Sequence, residues 1–378
     1  MASDVEPTAG AIYAESLEVS LRILKGALAA GASDVHLRAG VPPMVRILGD
    51  LLPLEHPELH RSTIEATVAG LMAWAGVPRM VGKQTEFSCD VPDIGRFRTH
   101  VYRQRGTLAA VLRHIPSEIP DFAALRLPPV IKQISLERQG LVVITGATGN
   151  GKSTTIGAML EFMNRQITKH IVTLEEPIEF VFQDAECSFS QREVGRDVES
   201  FREGLVGALR EDPDVIFVGE VREPDEFEVA LSAAEAGHLV LCTFHSSDAQ
   251  AAITRMIHMY PESFRSTARE RIAAALTAVV AQKLIVQQGG RERVLATEIV
   301  RRTPIVQECI RDPSRYRGLH AALEAGAAEY GTHGFDHQLL RLVRSRLISL
   351  DSAKAAARSP KDLVRALKLD RRVTSRAG

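Results

Sequence analysis

The chain has only four cysteines in 378 residues, Cys89, Cys187, Cys242 and Cys309, and none stands close to another. Without a Cys-x-x-Cys pair, neither a zinc knuckle nor a disulfide framework is expected, and a reducing cytoplasm is the natural compartment. Charge of neither sign dominates. Lys and Arg number 46 against 47 Asp and Glu, for a formal net charge of −1. No global field therefore draws the chain to nucleic acid or to an anionic membrane, and no stable nucleic-acid partner is expected. Long hydrophobic runs are missing too. The longest weakly polar stretch, Ile272 to Gln282, is closed in by Arg271 and Lys283, well short of the roughly 20 residues that span a bilayer. The opening Met1-Ala-Ser-Asp-Val-Glu6 has neither the basic nor the apolar region of a secretory signal. Any membrane association is expected to be peripheral, through partners. There is no internal repeat and no low-complexity segment. A composition 45% hydrophobic and 25% charged is that of an ordinary globular protein, long enough for two domains or more.

What is present is sharper. Leu141-Val-Val-Ile144 reads as a buried strand and runs through Thr145 into Gly146-Ala-Thr-Gly-Asn-Gly-Lys152-Ser153, after which a helical pattern begins. Strand, glycine-rich turn and helix in this order form the context of a phosphate-binding loop. Backbone N–H groups of the loop and of the helix N-terminus must point at phosphate oxygens, so side chains must keep clear. Gly146, Gly149 and Gly151 are expected to allow that close approach. Lys152 is expected to reach the terminal phosphates and the Ser153 hydroxyl to ligate Mg²⁺. Thr148, Asn150 and Thr154 complete the expected nucleotide-binding set. The ligands implied are ATP and Mg²⁺.

Hydrophobic periodicity divides the chain. Leu17, Leu21, Leu24 and Leu28 predict a helix over 15–31 that ends at Gly31. Strands are predicted at 34–37, 44–47, 86–91, 97–102 and 108–113, with a helix over 61–75, which suggests a small α+β domain over 1–115. Two prolines in His114-Ile-Pro-Ser-Glu-Ile-Pro120 mark a semi-rigid linker, placed at 116–122. Strands at 141–145, 170–174, 215–219 and 239–243 then alternate with helical segments, as in a mostly parallel α/β sheet over 123–300. Segments 317–328, 335–346 and 350–369 read as helical, giving a helical C-terminal stretch over 301–378.

Acidic residues gather at the ends of these strands. Thr173-Leu-Glu-Glu-Pro-Ile-Glu179 places three carboxylates at the C-terminal end of one strand, where open α/β sheets bind ligands. Asp214-Val-Ile-Phe-Val-Gly-Glu220 is an apolar run ending in an acid, a pattern that would set Glu220 beside Mg²⁺ and the γ-phosphate. His238 and His245 bracket the next strand, where a histidine could donate to phosphate or be a structural residue. In the first domain Arg96, Arg98, Arg103, Arg105 and Arg113 fall on predicted strands. They form either a solvated basic face or arginine fingers for a γ-phosphate across an interface.

Together these motifs resemble the type II/type IV secretion ATPase superfamily, and within it the PilT-like type IV pilus retraction branch. Gly31-Ala-Ser-Asp-Val-His-Leu37 is similar to the family's N-terminal signature, Glu175-Glu-Pro-Ile-Glu179 to its Asp box, Arg210 through Arg222 to its Walker B segment, and Ala234 through His245 to its His box. The resemblance covers nearly the whole chain. It implies a PAS-like N-terminal domain, a RecA-like ATPase core and a hexameric ring at the cytoplasmic face of the inner membrane. That ring would act on a pilus platform protein to retract pili in twitching motility. It also implies Glu179 as general base with Glu175 in support, and Arg98 and Arg113 as the arginines that meet the nucleotide. Glu176 stands where the family has Asp, and Pro304-Ile-Val-Gln-Glu-Cys-Ile310 departs from the retraction branch's Ala-Ile-Arg-Asn-Leu-Ile motif. No tetracysteine site of the assembly and type II secretion branches is present. A secretion or conjugation motor, an accessory retraction subunit and a nucleic-acid motor remain as alternatives.

Overall fold

A computed structural model of the chain describes residues 9–374 apart from Leu48, Arg79, Val81, Ser117 and Arg291. Residues 1–8 and 375–378, which the sequence assigns to the two terminal segments, lie outside the described residues. Contacts divide the chain into two units, Met1–Glu118 and Ile119–Gly378.

In the first unit the leucine stripe forms α1 (Ala9–Ala29), and Gly31 at φ 77° ends the run. Six strands follow in sequence around one further helix: β1 (Asp34–Arg38), β2 (Met44–Ile47), β3 (Asp50–Pro53), α2 (Arg61–Trp74), β4 (Gln84–Val91), β5 (Gly95–Gln104) and β6 (Thr107–Ile115). They pair antiparallel in the order β3-β2-β1-β6-β5-β4. Strand side chains alternate between faces. Val35, Leu37, Phe97, Val101 and Leu112 fall on one face and join Leu24, Ala27, Ile64 and Leu71 of the helices in a single core. The other face carries the even-numbered polar residues of β1 and β5, Asp34, Arg96 and Arg98 among them.

The second unit is a seven-stranded sheet. Its strands are β7 (Gly140–Thr145), β8 (His170–Glu175), β9 (Ser188–Glu193), β10 (Val215–Val218), β11 (Leu239–Phe244), β12 (Leu276–Val286) and β13 (Arg293–Arg301). They are ordered β13-β12-β7-β11-β10-β8-β9. Every pairing is parallel except β12 with β13, which closes one edge as a hairpin. Helices cover both faces, so the central strands are apolar throughout. Val142, Ile144, Phe217 and Leu241 pack on one face against α3 (Val130–Ser135) and α4 (Lys152–Asn164). Leu141, Val143, Val218 and Cys242 pack on the other, against α5 (Phe201–Ala208), α6 (Pro224–Glu235), α7 (Ala249–His258), α8 (Arg265–Ala275) and α9 (Pro304–Arg311).

The C-terminal helices are α10 (Leu319–Ala325), α11 (Ala327–Tyr330), α12 (Phe335–Arg344), α13 (Leu350–Ala356) and α14 (Pro360–Thr374). Leu323, Phe335, Leu339 and Leu363 enter the same core as α5–α9. Just before α12 the chain touches the outer edge of β13, where Ile299 and His333 exchange two backbone hydrogen bonds of 2.8 and 3.1 Å. All four cysteines are buried and free. Among the described residues no helix is long and apolar enough to cross a membrane.

Candidate nucleotide site

Because the sheet is parallel, one edge collects the C-terminal ends of β7, β8, β10 and β11. β7, buried along its whole length, delivers the chain to Gly146 at φ 151°. A side chain at Gly146 would put its Cβ 2.6 Å from the carbonyl oxygen of Gln282 on β12. Only glycine lets the loop leave the sheet here. Around Gly149 the chain itself leaves open space, and a Cβ built there meets nothing within 4 Å. Its φ of 79° is a left-handed turn that strains any L side chain. Its carbonyl faces the Arg293 guanidinium at 3.4 Å, so Gly149 O points toward β13. Gly151, at φ 78°, caps the start of α4 in the left-handed region, so Lys152, Ser153 and Thr154 occupy the first helical turn with their N–H groups at the positive end of the helix. Lys152 is 8% exposed, and its ammonium donates to the carbonyls of Gly146 at 2.9 Å and Ala147 at 3.3 Å. Burial lowers its pKa, against the opposing pull of Glu220 and Glu179. Asn150 accepts a hydrogen bond from Leu284 N at 3.2 Å, which ties the loop to β12.

The end of β8 supplies Glu175. It is buried, accepting from the Thr173 hydroxyl at 2.7 Å, the Gln191 amide at 3.3 Å and Glu179 N at 3.3 Å. Burial raises its carboxyl to about 7. Glu179 lies four residues on, with its side chain exposed. At the end of β10, Glu220 accepts from the Arg222 guanidinium at 2.9 Å and lies 3.0 Å from His245 Nε2. Burial would raise its pKa, but Arg222 and His245 outweigh that and hold it below the usual range. Arg222 also reaches Glu176 at 3.2 Å, joining the ends of β8 and β10. The Thr145 hydroxyl, facing the carbonyls of Phe244 and Ser246 and the Ser246 amide, stitches β7 to the end of β11.

Beside the loop is a cavity of about 470 Å³ lined by Leu125, Arg126, Gly151, Thr154, Leu284 and Arg293, among others. Its mixed apolar and polar lining and its place against the helix start suit the base and sugar of a nucleotide.

The structure thus brings together the loop from Gly146 to Thr154, Glu175, Glu179, Glu220 and His245. It separates His238 from them. β11 runs parallel to β7, and His238 precedes its first residue while His245 follows its last. His238 sits at the opposite edge of the sheet from the loop, where its ring bonds Ala233 O at 2.9 Å and its own carbonyl accepts from Gly140 N. Six strand residues at about 3.3 Å each stand between it and the phosphate loop. Arg98 and Arg113 are direct cross-strand neighbours on β5 and β6. Arg98 is paired with Glu86, and Arg113 reaches the buried Asp34 at 2.8 Å. Sequence reasoning assigned no role to Arg222 or Gln191 and found only Gly151 and Thr154 among the cavity residues named above. Arg222 alone left a signal, two positions beyond the acid that ends β10.

The fold and this edge define an α/β domain with a phosphate-binding loop and acidic strand ends around it. A family model described as type II/IV secretion system protein matches residues 111–326. The type IV pilus retraction ATPase PilT of Pseudomonas aeruginosa is 39% identical over 333 residues, 88% of this chain and 96% of that protein. The type IV pilus ATPase PilU of the same organism is 35% identical over 349 residues, 92% of this chain and 91% of that protein. A crystal structure of the pilus retraction motor PilT with bound ADP superposes with a TM-score of 0.82 at 38% identity, covering 91% of this chain and 98% of that one. The chain belongs to the type II/IV secretion system protein family, in which its nearly full-length likeness to these secretion-type ATPases places it among nucleotide-binding motors.

Proposed function

We propose that this protein is a hexameric ATPase whose hydrolysis cycle retracts a type IV pilus, working on a platform protein at the cytoplasmic face of the inner membrane. The observation that carries this reading is the convergence of the loop, Lys152 and the ends of β8 and β10 in a chain resembling PilT over nearly its whole length. Lys152 neutralises phosphate charge. Glu179, exposed yet near enough to Lys152 to favour its charged form, takes the proton of the attacking water. Glu175 holds the segment from which Glu179 projects. Ser153 and Glu220 would hold Mg²⁺, a hard cation suited to this oxygen donor set, which when bound supplies charge neutralisation at the phosphates. Arg98 and Arg113 would meet the γ-phosphate of a neighbouring copy. A closed ring of such head-to-tail contacts gives each nucleotide one subunit boundary to act on.

Deleting the gene tests the output. Cells should remain piliated and fail to twitch, and Lys152→Ala should not rescue them. Loss of pili would instead mark an assembly motor. If pili and twitching are untouched while secretion or conjugation stops, the divergent Pro304–Ile310 segment on α9 marks a secretion motor.

A further inference from the structure

The segment that carries Glu179 has no hydrogen-bond ladder of its own. Between the end of β8 at Glu175 and the start of β9 at Ser188 the chain is irregular, so its backbone groups need partners among side chains. Near Glu179 three side chains serve. Ile178 N donates to Glu193 Oε2 at 3.2 Å and Glu179 N to Glu175 Oε2 at 3.3 Å. Phe182 N donates to Gln191 Oε1 at 2.8 Å, and Gln191 Nε2 donates to Phe180 O at 2.8 Å. The same Nε2 also reaches Glu175 Oε1 at 3.3 Å. The sheet register explains the convergence. β8 and β9 pair in parallel with Thr173 opposite Gln191 and Glu175 opposite Glu193, so all four side chains share one face.

We infer that Gln191 is the residue that positions Glu179 for the reaction, fastening the loop and the buried carboxyl of Glu175 with one amide. The inference rests on the proposed role of Glu179. Only a group with both donor and acceptor fits: the carbonyl takes Phe182 N while the amide nitrogen bridges Phe180 O and Glu175. Glutamate at this place would keep the first bond, lose the other two and confront Glu175 with a like charge. Methionine would keep the volume and lose all three. Gln191 touches no reacting atom; it acts by placing the residue that does.

The test uses full-length purified protein carrying Gln191→Met or Gln191→Glu. Displacing a catalytic group by about 1 Å costs on the order of 100-fold, so kcat should fall roughly 30- to 100-fold in both variants while KM for ATP stays within about threefold. Amide exchange across 176–182 should quicken at least about tenfold, with exchange in β7 and β10 unchanged. Turnover in Gln191→Met within about threefold of wild type, or unaltered exchange in 176–182, overturns the inference. A joint collapse of kcat, KM and melting temperature also overturns it, since that is the signature of a merely structural residue. Glu179→Gln separates the two readings. Should that variant still hydrolyse ATP, the role of Glu179 falls, while the exchange measurement still decides whether Gln191 fixes the loop.

Discussion

Glu175→Gln should make the protein more stable at and above neutrality and less stable in acid. In the folded chain burial lifts the Glu175 carboxyl from its ordinary 4.5 to about 7. The folded state therefore holds this proton more tightly than the unfolded state. Below pH 4.5 both states are protonated and ionisation costs nothing. Stability then declines as pH rises from about 4.5 to about 7, and above that window the whole cost of a buried carboxylate is present, about 3 kcal/mol. Glutamine carries no such proton. Its carbonyl can still accept from Thr173 and Gln191, but its NH₂ group meets Glu179 N donor to donor, a loss of about 1 kcal/mol. The variant should thus gain about 2 kcal/mol at pH 8 and lose about 1 kcal/mol at pH 3. Melting curves at those two pH values read this directly, at about 2–4 °C per kcal/mol for a domain of this size. A variant that melts below wild type by the same margin at both pH values would refute the reasoning. It would mean that Glu175 is ionised without penalty and that its site is wetter than the geometry states.

Lys152→Ala should abolish ATP turnover in a steady-state assay while the circular dichroism spectrum is retained, because the ammonium bonds only loop carbonyls within the fold. Glu179→Gln should bind ATP normally and lose about 10²–10⁴ in hydrolysis rate; the same loss in Glu220→Gln alone would reassign the base. Arg98→Ala should cut kcat with little change in ATP affinity, as expected of transition-state charge stabilisation. In Arg113→Ala the same loss should come with a melting decrease worth about 1–3 kcal/mol, since buried Asp34 loses its guanidinium. His245→Ala should lower turnover by releasing Glu220, whereas His238→Ala should leave it within about threefold of wild type.

The strong signals in the sequence were those whose physics is local. The leucine stripe of α1, the largely apolar β7, β8, β10 and β11, and the glycines of the loop each satisfy a requirement visible within a dozen residues. Within the chain the glycines differ: Gly146 clears a neighbouring strand, whereas Gly149 meets no other part of the chain and takes a left-handed turn. The acidic strand ends were legible because parallel topology turns "end of strand" into "same edge". β12 was not. Its residues Leu276–Val286 overlap the Ala- and Val-rich stretch Ile272–Gln282, and an unbroken apolar run does not by itself distinguish buried helix from buried strand. Its first four residues in fact close α8. β9, Ser-Phe-Ser-Gln-Arg-Glu, is polar because it lies at a sheet edge and turns its side chains to the adjoining loop. The single helix read over 350–369 is two, parted before Pro360. That His238 lies at the opposite end of β11 from the loop was not legible, because flanking a strand says nothing about which end of the sheet a residue occupies.

The contact between His333 and Ile299 has a meaning beyond the chain's own architecture. An unpaired outer strand offers its free N–H and C=O groups to any other molecule's strand, and β13 is nine residues long and largely apolar. The segment before α12 docks against that rim near its C-terminal end and α12 packs behind, so the strand is plugged rather than bare. A truncation ending before Gly331 would therefore be more than an uncoupled motor. It would expose a sticky seam and should be recovered as aggregates.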